Sequence, residues 1–438
     1  MIDKNKLVHW LNIRKTTFEE LNKKFLRYSN IKIEKDNLIR LDKNSIDKIS
    51  EILDIPNTFL LKSNQLPYFI FKSKKELEET KRPITRDKIH FYNYYTLPSP
   101  KGYVAPVLID ILCPKEKLPK LNNGHLEPAI TVSLGPNDIH ARFGKKINKI
   151  NFCKFKINKE KKNDWVVGDN YFEPSYCLHT YSRATNGPGK ILSYTTKSYV
   201  ENLLSDKLND QAFKNFIKSN KKSKFNRQML KQEIFNRGYS FKELSKSTGV
   251  QFKLINDYFS KTNKKVNEKA IKKICDFLEI NYAIFSDKKF SEDAVGKNFF
   301  SYKDSLKTAR KFKSYIVASM ASSKRFQDLS GYFLKVFKKK KVFDLMDSAC
   351  SHYLVTNGSV NFHSDNDGDE TNIKMRKDDS IWVSAFCKHG FSGNGSLIKI
   401  SDGQNINYLE KMDMINLYNP LKTLERGRKD KINWGYDE

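Results

Sequence analysis

The chain carries one pattern twice. The stretch TTFEELNKKF (Thr16 to Phe25) precedes SIDKISEILDIPNTFL (Ser45 to Leu60), and later YSFKELSKSTGV (Tyr239 to Val250) precedes AIKKICDFLEINYAIF (Ala270 to Phe285). Phe18, Leu21, Ile46, Ile49, Leu53 and Ile55 match Phe241, Leu244, Ile271, Ile274, Leu278 and Ile280. Apolar residues recur three and four apart within each copy, which predicts amphipathic helices in small bundles. Gly249 falls where a glycine ends a helix. Internal self-similarity marks repeated structural units, so whatever this chain folds into must be built twice.

Each helical copy is followed by β-type sequence. VAPVLIDILCP, PAITVSL and KILSYTT follow the first, and HYLVTNGSVNF, DSIWVSAF and SLIKIS follow the second. These short β-branched and aromatic runs, separated by Gly, Asn, Asp and Pro, predict a sandwich or barrel. The expected fold is a multidomain α+β protein. It has a small helix-turn-helix-like domain over residues 1–75, a β-barrel over 76–205, a second helical domain over 206–290 and a second barrel over 291–438. The lysine-rich stretch from Lys214 to Lys224 marks the boundary between halves.

Composition bounds the function classes. Hydrophobic residues make up 39% and aromatics 13%, enough for real cores. No apolar run approaches the roughly 20 residues of a membrane span, and MIDKNKLVHW lacks the apolar stretch of a secretory signal. The six cysteines are scattered without a C-x-x-C pair, which fits reduced thiols and a cytoplasmic protein. The net charge of +30 invites a nucleic-acid reading. The lysines are nevertheless spread along the whole chain as a solvated surface would have them, and the dense run Lys338 to Lys341 reads as a turn.

One constellation points to a metal. The second motif of a cupin barrel places a glycine, a later proline and a histidine around a strand–turn–strand, and here it reads GDNYFEPSYCLH, with Gly168, Asp169, Glu173, Pro174 and His179. Glu173 and His179 are six apart and so share a strand face, but a straight chain would hold them about 20 Å apart. A sharp bend at Pro174 would bring them together. The first motif is LNNGHLEPAITV, with His125 after a turn and before a strand. Two imidazoles and one carboxylate leave three open metal positions, the facial arrangement suited to Fe(II). Glu127 competes with Glu173 for the carboxylate role but, two positions from His125 and with no second histidine, fits the pattern less well. His9, His90, His140, His352 and His363 read as surface or hydrogen-bonded residues. In the second half, aligning the Asp378-Asp379 turn with Gly168-Asp169 sets His389 against His179, Val383 against Glu173 and Ser348 against His125. The second barrel is therefore expected to be metal-free.

These motifs resemble those of the hydroxyethylphosphonate dioxygenase family over essentially the whole chain. The resemblance rests on IHFYNYYTL (Ile89 to Leu97), LNNGHLEPAITV, EPSYC-H-YS (Glu173 to Ser182), ASMAS (Ala318 to Ser322) and RGR-D---WGYD (Arg426 to Asp437). It implies Fe(II) held by His125, Glu173 and His179, with neither 2-oxoglutarate nor an external reductant. It also implies a phosphonate pocket of Arg86, Tyr94, Asn122 and Ser193, with Lys15 reaching in from the helical domain. Lys399, opposite Ser193 in the repeat, would enter from the second barrel. Guanidinium and neutral donors suit a phosphonate, although Tyr94 serves a core equally well and Lys15 a solvated surface. The implied reaction cleaves the carbon–carbon bond of 2-hydroxyethylphosphonate with O2, giving hydroxymethylphosphonate and formate. The related methylphosphonate synthase uses the same substrate with a glutamine near the first histidine in place of the carboxylate; this chain keeps Glu173.

A reading from another class remains. FNRGYSFKELSKSTGVQFKLINDYF resembles the helix-turn-helix of ligand-responsive regulators, with Gln251, Lys253 and Asn256 for base edges but Asp257 set to repel phosphate. The expected partners are thus a small phosphonate and O2, with no membrane, no nucleic acid and a homo-oligomer allowed.

Overall fold

The computed structural model describes residues 2–423 apart from 34–40, 62–65, 87, 118–119, 123, 144–151, 197–208, 220–221, 261–266, 281, 283–297, 324–328, 367 and 402–412. The chain divides into two compact units, Met1–Pro67 with Ile406–Glu438, and Tyr68–Asn405.

In the first unit the helices Lys4–Ile13, Phe18–Phe25 and Lys43–Leu53 pack around Leu7, Leu11, Leu21, Phe25, Ile49 and Leu53. Thr17 opens the second of them with a reciprocal cap: its hydroxyl accepts from the Glu20 N–H, and the Glu20 carboxylate accepts from the Thr17 N–H. The predicted apolar spacing here is a real buried face.

The larger unit holds a second helical cluster and all the described strands. Helices Lys222–Asn236, Phe241–Thr248, Phe252–Ser260 and Glu268–Phe277 close on Leu230, Leu244, Ile255, Ile271 and Ile274. Ser240 and Glu243 cap the second of these as Thr17 and Glu20 cap theirs, and Gly249, at φ 68°, ends it in the left-handed region. Asp257 faces inward and is 8% exposed, so it is not on the surface a nucleic acid would meet. Exposed on that helix are Phe252, Lys253, Leu254, Asn256 and Ser260.

The first-half strands form two antiparallel sheets. A seven-stranded sheet runs in the order Asn298–Phe300, Asn170–Glu173, Ala129–Pro136, Gly189–Thr195, Val107–Ile111, Ile89–Thr96, Arg82–Arg86. A three-stranded sheet runs Phe152–Phe155, Ile139–Phe143, His179–Arg183. Phe91, Tyr92, Ile109, Ile111, Phe143, Tyr171, Tyr181 and Ile191 fill the interior. The second half makes a single eight-stranded sheet instead. Its order is Phe69–Lys72, Ser380–Val383, Ser351–Asn366, His389–Ser401, Ser330–Val336, Tyr315–Ser319, Arg310–Lys311, with Asp369–Arg376 paired to Ser351–Asn366. Proline explains the contrast. Pro136 and Pro188 stand where the first-half strands break, because proline donates no ladder hydrogen bond. The corresponding second-half strands, of 16 and 13 residues, contain no proline and run on as single strands.

The halves exchange strands. Phe69–Lys72, early in the chain, pairs with Ser380–Val383, while Asn298–Phe300 pairs with Asn170–Glu173. Buried aspartates lock both exchanges: Asp169 accepts the Tyr302 N–H at 2.9 Å and Asp379 accepts the Lys74 N–H at 2.8 Å. Asn170 adds two bonds across the seam, donating to Ser305 Oγ at 3.0 Å and accepting from the Ala321 N–H at 2.6 Å. One apolar core spans the junction, with Ile130, Val132, Phe172, Leu192 and Tyr194 meeting Phe333, Leu354, Ile398 and Ile400. Among the described residues no helix is long and apolar enough to cross a membrane. Cys113, Cys177, Cys275, Cys350 and Cys387 are buried, and none forms a disulfide among the described residues.

Candidate metal centre

Glu173 ends the Asn170–Glu173 strand, and His179 begins the next. Between them the chain reverses: the Cys177 N–H donates to the Pro174 carbonyl, and Tyr176 takes φ 58°. The bend expected at Pro174 is therefore there, and it brings His179 Nδ1 within 3.4 Å of Glu173 Oε2. His125 arrives from a loop that the same turn holds, since the Tyr176 N–H donates to the His125 carbonyl at 2.6 Å. Gly124 makes that approach feasible. Its φ is +72°, and an added Cβ would lie 2.7 Å from the Tyr176 backbone carbon.

His125 Nε2 lies 3.2 Å from Glu173 Oε1, and one ligand atom from each of His125, Glu173 and His179 falls within 4.8 Å of the others. Glu127 contributes its backbone carbonyl, not its carboxylate, accepting from His125 Nδ1 at 2.6 Å. That bond leaves Nε2 as the lone-pair nitrogen facing the cluster. Glu173 is 1% exposed, and its Oε2 receives no hydrogen bond. A buried carboxylate oxygen without a donor, beside two imidazoles, calls for a cation. Burial alone would pull the His125 pKa down; the hydrogen bond and charge of Glu173 outweigh it and shift it upward. Beneath the cluster the Tyr171 and Tyr181 hydroxyls hydrogen-bond to each other, and Tyr92 Oη donates to the Tyr181 carbonyl. Burial, reinforced by the negative Glu173, pushes both buried phenols well above the ordinary tyrosine range. They stay neutral.

Residues 78–196 match the family described as the 2-hydroxyethylphosphonate dioxygenase cupin-like domain. A 2-hydroxyethylphosphonate dioxygenase of Streptomyces viridochromogenes is 34% identical over 441 residues, spanning 100% of this chain and 99% of that protein. The chain belongs to the 2-hydroxyethylphosphonate dioxygenase family. Among solved structures, PhpD with cadmium complexed with hydroethylphosphonate is 34% identical, covers 97% of this chain and 99% of that one, and superposes with TM-score 0.78. Streptomyces albus HEPD with substrate and Fe(II) bound has TM-score 0.73 over 98% of this chain and 97% of that one, at 14% identity. It shares the fold.

The other residues expected to bind substrate fall at several places in the fold. Asn122 sits at the cluster: its Oδ1 accepts the backbone N–H groups of Gly124 and His179, and its Nδ2 donates to His179 Nε2 at 2.9 Å. Ser193 lies 3.0 Å from Thr131 Oγ1, and Thr131 pairs with Tyr171 on its other side. Ser193 thus stands one inward rung along from Glu173, which pairs with Ala129. Tyr94 is half-buried with the interior core and meets Tyr92 edge-on at 6.1 Å. Lys15 follows the first helix at φ 50°, exposed, in the N-terminal unit. The Arg86 backbone closes its strand opposite Ile89, and its side chain lies outside the described set, as does the whole 426–437 motif.

Two expectations change. Lys399 does not enter from the second half. Side chains alternate along a strand, so Lys399 shares with Leu397 the face toward its own interior, where its Nζ pairs with Asp347 Oδ2 at 2.6 Å. The counterpart of His125 is Asp347, not Ser348: the Phe386 N–H donates to the Asp347 carbonyl at 2.7 Å, and Phe386 has the same φ of 58° as Tyr176. The turn before His125 has no sequence match in the second half, so nothing anchored that alignment. Thr131, Tyr171 and Tyr181 escaped the sequence reading because an inward tyrosine and an ordinary core tyrosine look alike in one dimension.

Proposed function

We propose that this chain is an Fe(II)-dependent dioxygenase that cleaves the carbon–carbon bond of 2-hydroxyethylphosphonate with O2 to give hydroxymethylphosphonate and formate. The observation that carries it is the Glu173 carboxylate, buried and lacking a donor on one oxygen, between His125 and His179, in a chain 34% identical from end to end to such a dioxygenase. That carboxylate also argues for the dioxygenase over methylphosphonate synthase. The architecture behind it is a helix-turn-helix-like module and a cupin barrel, each present twice.

His125, Glu173 and His179 hold the metal. Fe(II), when bound, would supply a Lewis acid and a redox centre for the reaction of substrate with O2. The protein's own groups do the rest. The Glu127 carbonyl fixes the His125 ring, and Asn122, pinned by two backbone N–H groups, fixes His179 and presents polar surface to the substrate. Ser193, Tyr94 and Arg86 bind the phosphonate as hydroxyl and guanidinium donors. Neutral Tyr171 and Tyr181, with Tyr92 and Phe143, wall the site against bulk water.

Phosphorus NMR of an aerobic reaction of iron-loaded protein with 2-hydroxyethylphosphonate tests the proposal. Hydroxymethylphosphonate with equimolar formate supports it, methylphosphonate reassigns the chain to the synthase, and no turnover at full iron occupancy refutes it. Arg86→Ala is expected to raise KM about 10-fold or more with iron content unchanged, as loss of a charged hydrogen bond would; an unchanged KM removes Arg86 from the pocket.

A further inference from the structure

The second-half β-fold repeats the turn that builds the metal cluster. His389 Nδ1 lies 2.8 Å from the Cys387 carbonyl, as His179 Nδ1 lies 2.9 Å from that of Cys177. Val383 ends its strand as Glu173 ends its own, and Asp347 is held as His125 is. The three ligand positions therefore become Asp347, Val383 and His389. The ladders fix a fourth correspondence. Ser193 pairs with Thr131, which pairs with Tyr171; Lys399 pairs with Tyr353, which pairs with Ile381. Ser193 and Lys399 thus occupy the same inward rung. A serine there is short. A lysine reaches the centre of the pocket, and Nζ lands on Asp347 Oδ2 at 2.6 Å with the side chain 10% exposed.

We infer that the Lys399 ammonium is a built-in cation that fills, in the second β-fold, the place the metal takes in the first. An ammonium this enclosed needs a carboxylate partner, and Asp347 is it. His389 is close enough to feel both charges, and its Nε2 is engaged by Tyr353 Oη at 2.8 Å. A divalent ion would find the one carboxylate already neutralised and a positive charge a few ångströms away. The site is closed to metal by occupation as well as by the loss of a ligand.

The inference rests on the proposed metal site of the first half, and Co(II) binding to the full-length protein separates the two. Wild type should take one equivalent, by equilibrium dialysis and visible absorbance, and Glu173→Ala should lose it; a retained equivalent would refute the first-half site itself. Ser193→Lys transplants the ammonium and should weaken Co(II) binding by about 100-fold or more, as a like charge inside the pocket implies. Ser193→Met, of similar length and no charge, should stay within about 5-fold of wild type, since only bulk has changed. Equal affinities for the two variants, both folded by circular dichroism, overturn the inference. Lys399→Met combined with Val383→Glu should gain a second equivalent that His389→Ala removes. If Ser193→Lys does not fold, this arm decides: a folded double variant that still binds one equivalent overturns the inference.

Discussion

The two β-folds share a turn, a histidine and a core, yet one is built to attract a cation and the other already contains one. In the first, the Glu173 carboxylate lies 3.2 Å from His125 Nε2 and draws the His125 pKa up despite burial. In the second, Val383 replaces that carboxylate, and burial, helped by Lys399, drives the His389 pKa down to about 4 although Asp347, Asp344 and the Cys387 carbonyl pull the other way. Two side chains on one scaffold reverse the sign of the field. A repeat keeps its fold because the apolar ladder is retained, while its chemistry depends on which few inward positions carry charge.

The sharpest way to break the comparison is to remove the first site's charge. Glu173→Ala or His179→Ala should reduce metal affinity by more than about 100-fold, beyond the usual cost of losing a supporting contact. The circular dichroism spectrum should not change. Full metal occupancy in either variant would show that the ligands lie elsewhere.

The exchanged strands offer the next contrast. Asn170 makes two buried hydrogen bonds across the seam, whereas Ser380, its counterpart, makes one long contact, 3.5 Å to the Lys72 carbonyl. Asn170→Ala should cost about 3 kcal/mol in urea unfolding, because it orphans the Ala321 N–H and the Ser305 hydroxyl. Ser380→Ala should cost less than about 1 kcal/mol. Similar losses would mean that the seam is held by apolar packing alone.

Acid weighs on both folds of the metal-free protein, since burial, with Arg142 and Lys154, also lowers the His140 pKa to about 4 in the first half. His389, at about 4, and His352, which burial depresses to about 3, have folded pKa values below the unfolded value of 6.5. Below pH 6.5 the unfolded chain takes up protons that the folded chain refuses, so their share of stability is full above 6.5 and is lost as pH falls toward 4 and then 3. His125 has the opposite sign: its share is present below 6.5 and is lost as pH rises through its higher folded value. For His389 the loss by pH 4 is on the order of 3 kcal/mol. His389→Asn should flatten the acid limb by that amount; an unaltered pH slope would place the acid sensitivity elsewhere.

The smallest expected effect is none. His389→Ala in the otherwise unaltered chain should leave metal content at one equivalent, and a halving would mean that both folds bind metal.

The primary sequence, taken alone, determined the repeat, the amphipathic helices, the His-Glu-His pattern and the missing second carboxylate at Val383. Each of these is written in local spacing: a period near 3.6, a proline-marked bend, a ligand present or absent at a turn. Tertiary structure decided three other things. The Phe69–Lys72 strand belongs with Ser380–Val383 rather than with its neighbours in the chain, because backbone hydrogen bonds do not depend on side-chain identity and strand pairing over such a separation leaves no local mark. Asp347, not Ser348, stands where His125 stands, which only the bond from the Phe386 N–H reveals. Lys399 turns to its own interior and its own aspartate, because the direction of an inward lysine is set by the alternation of a strand within a closed fold, which a string of residues does not contain.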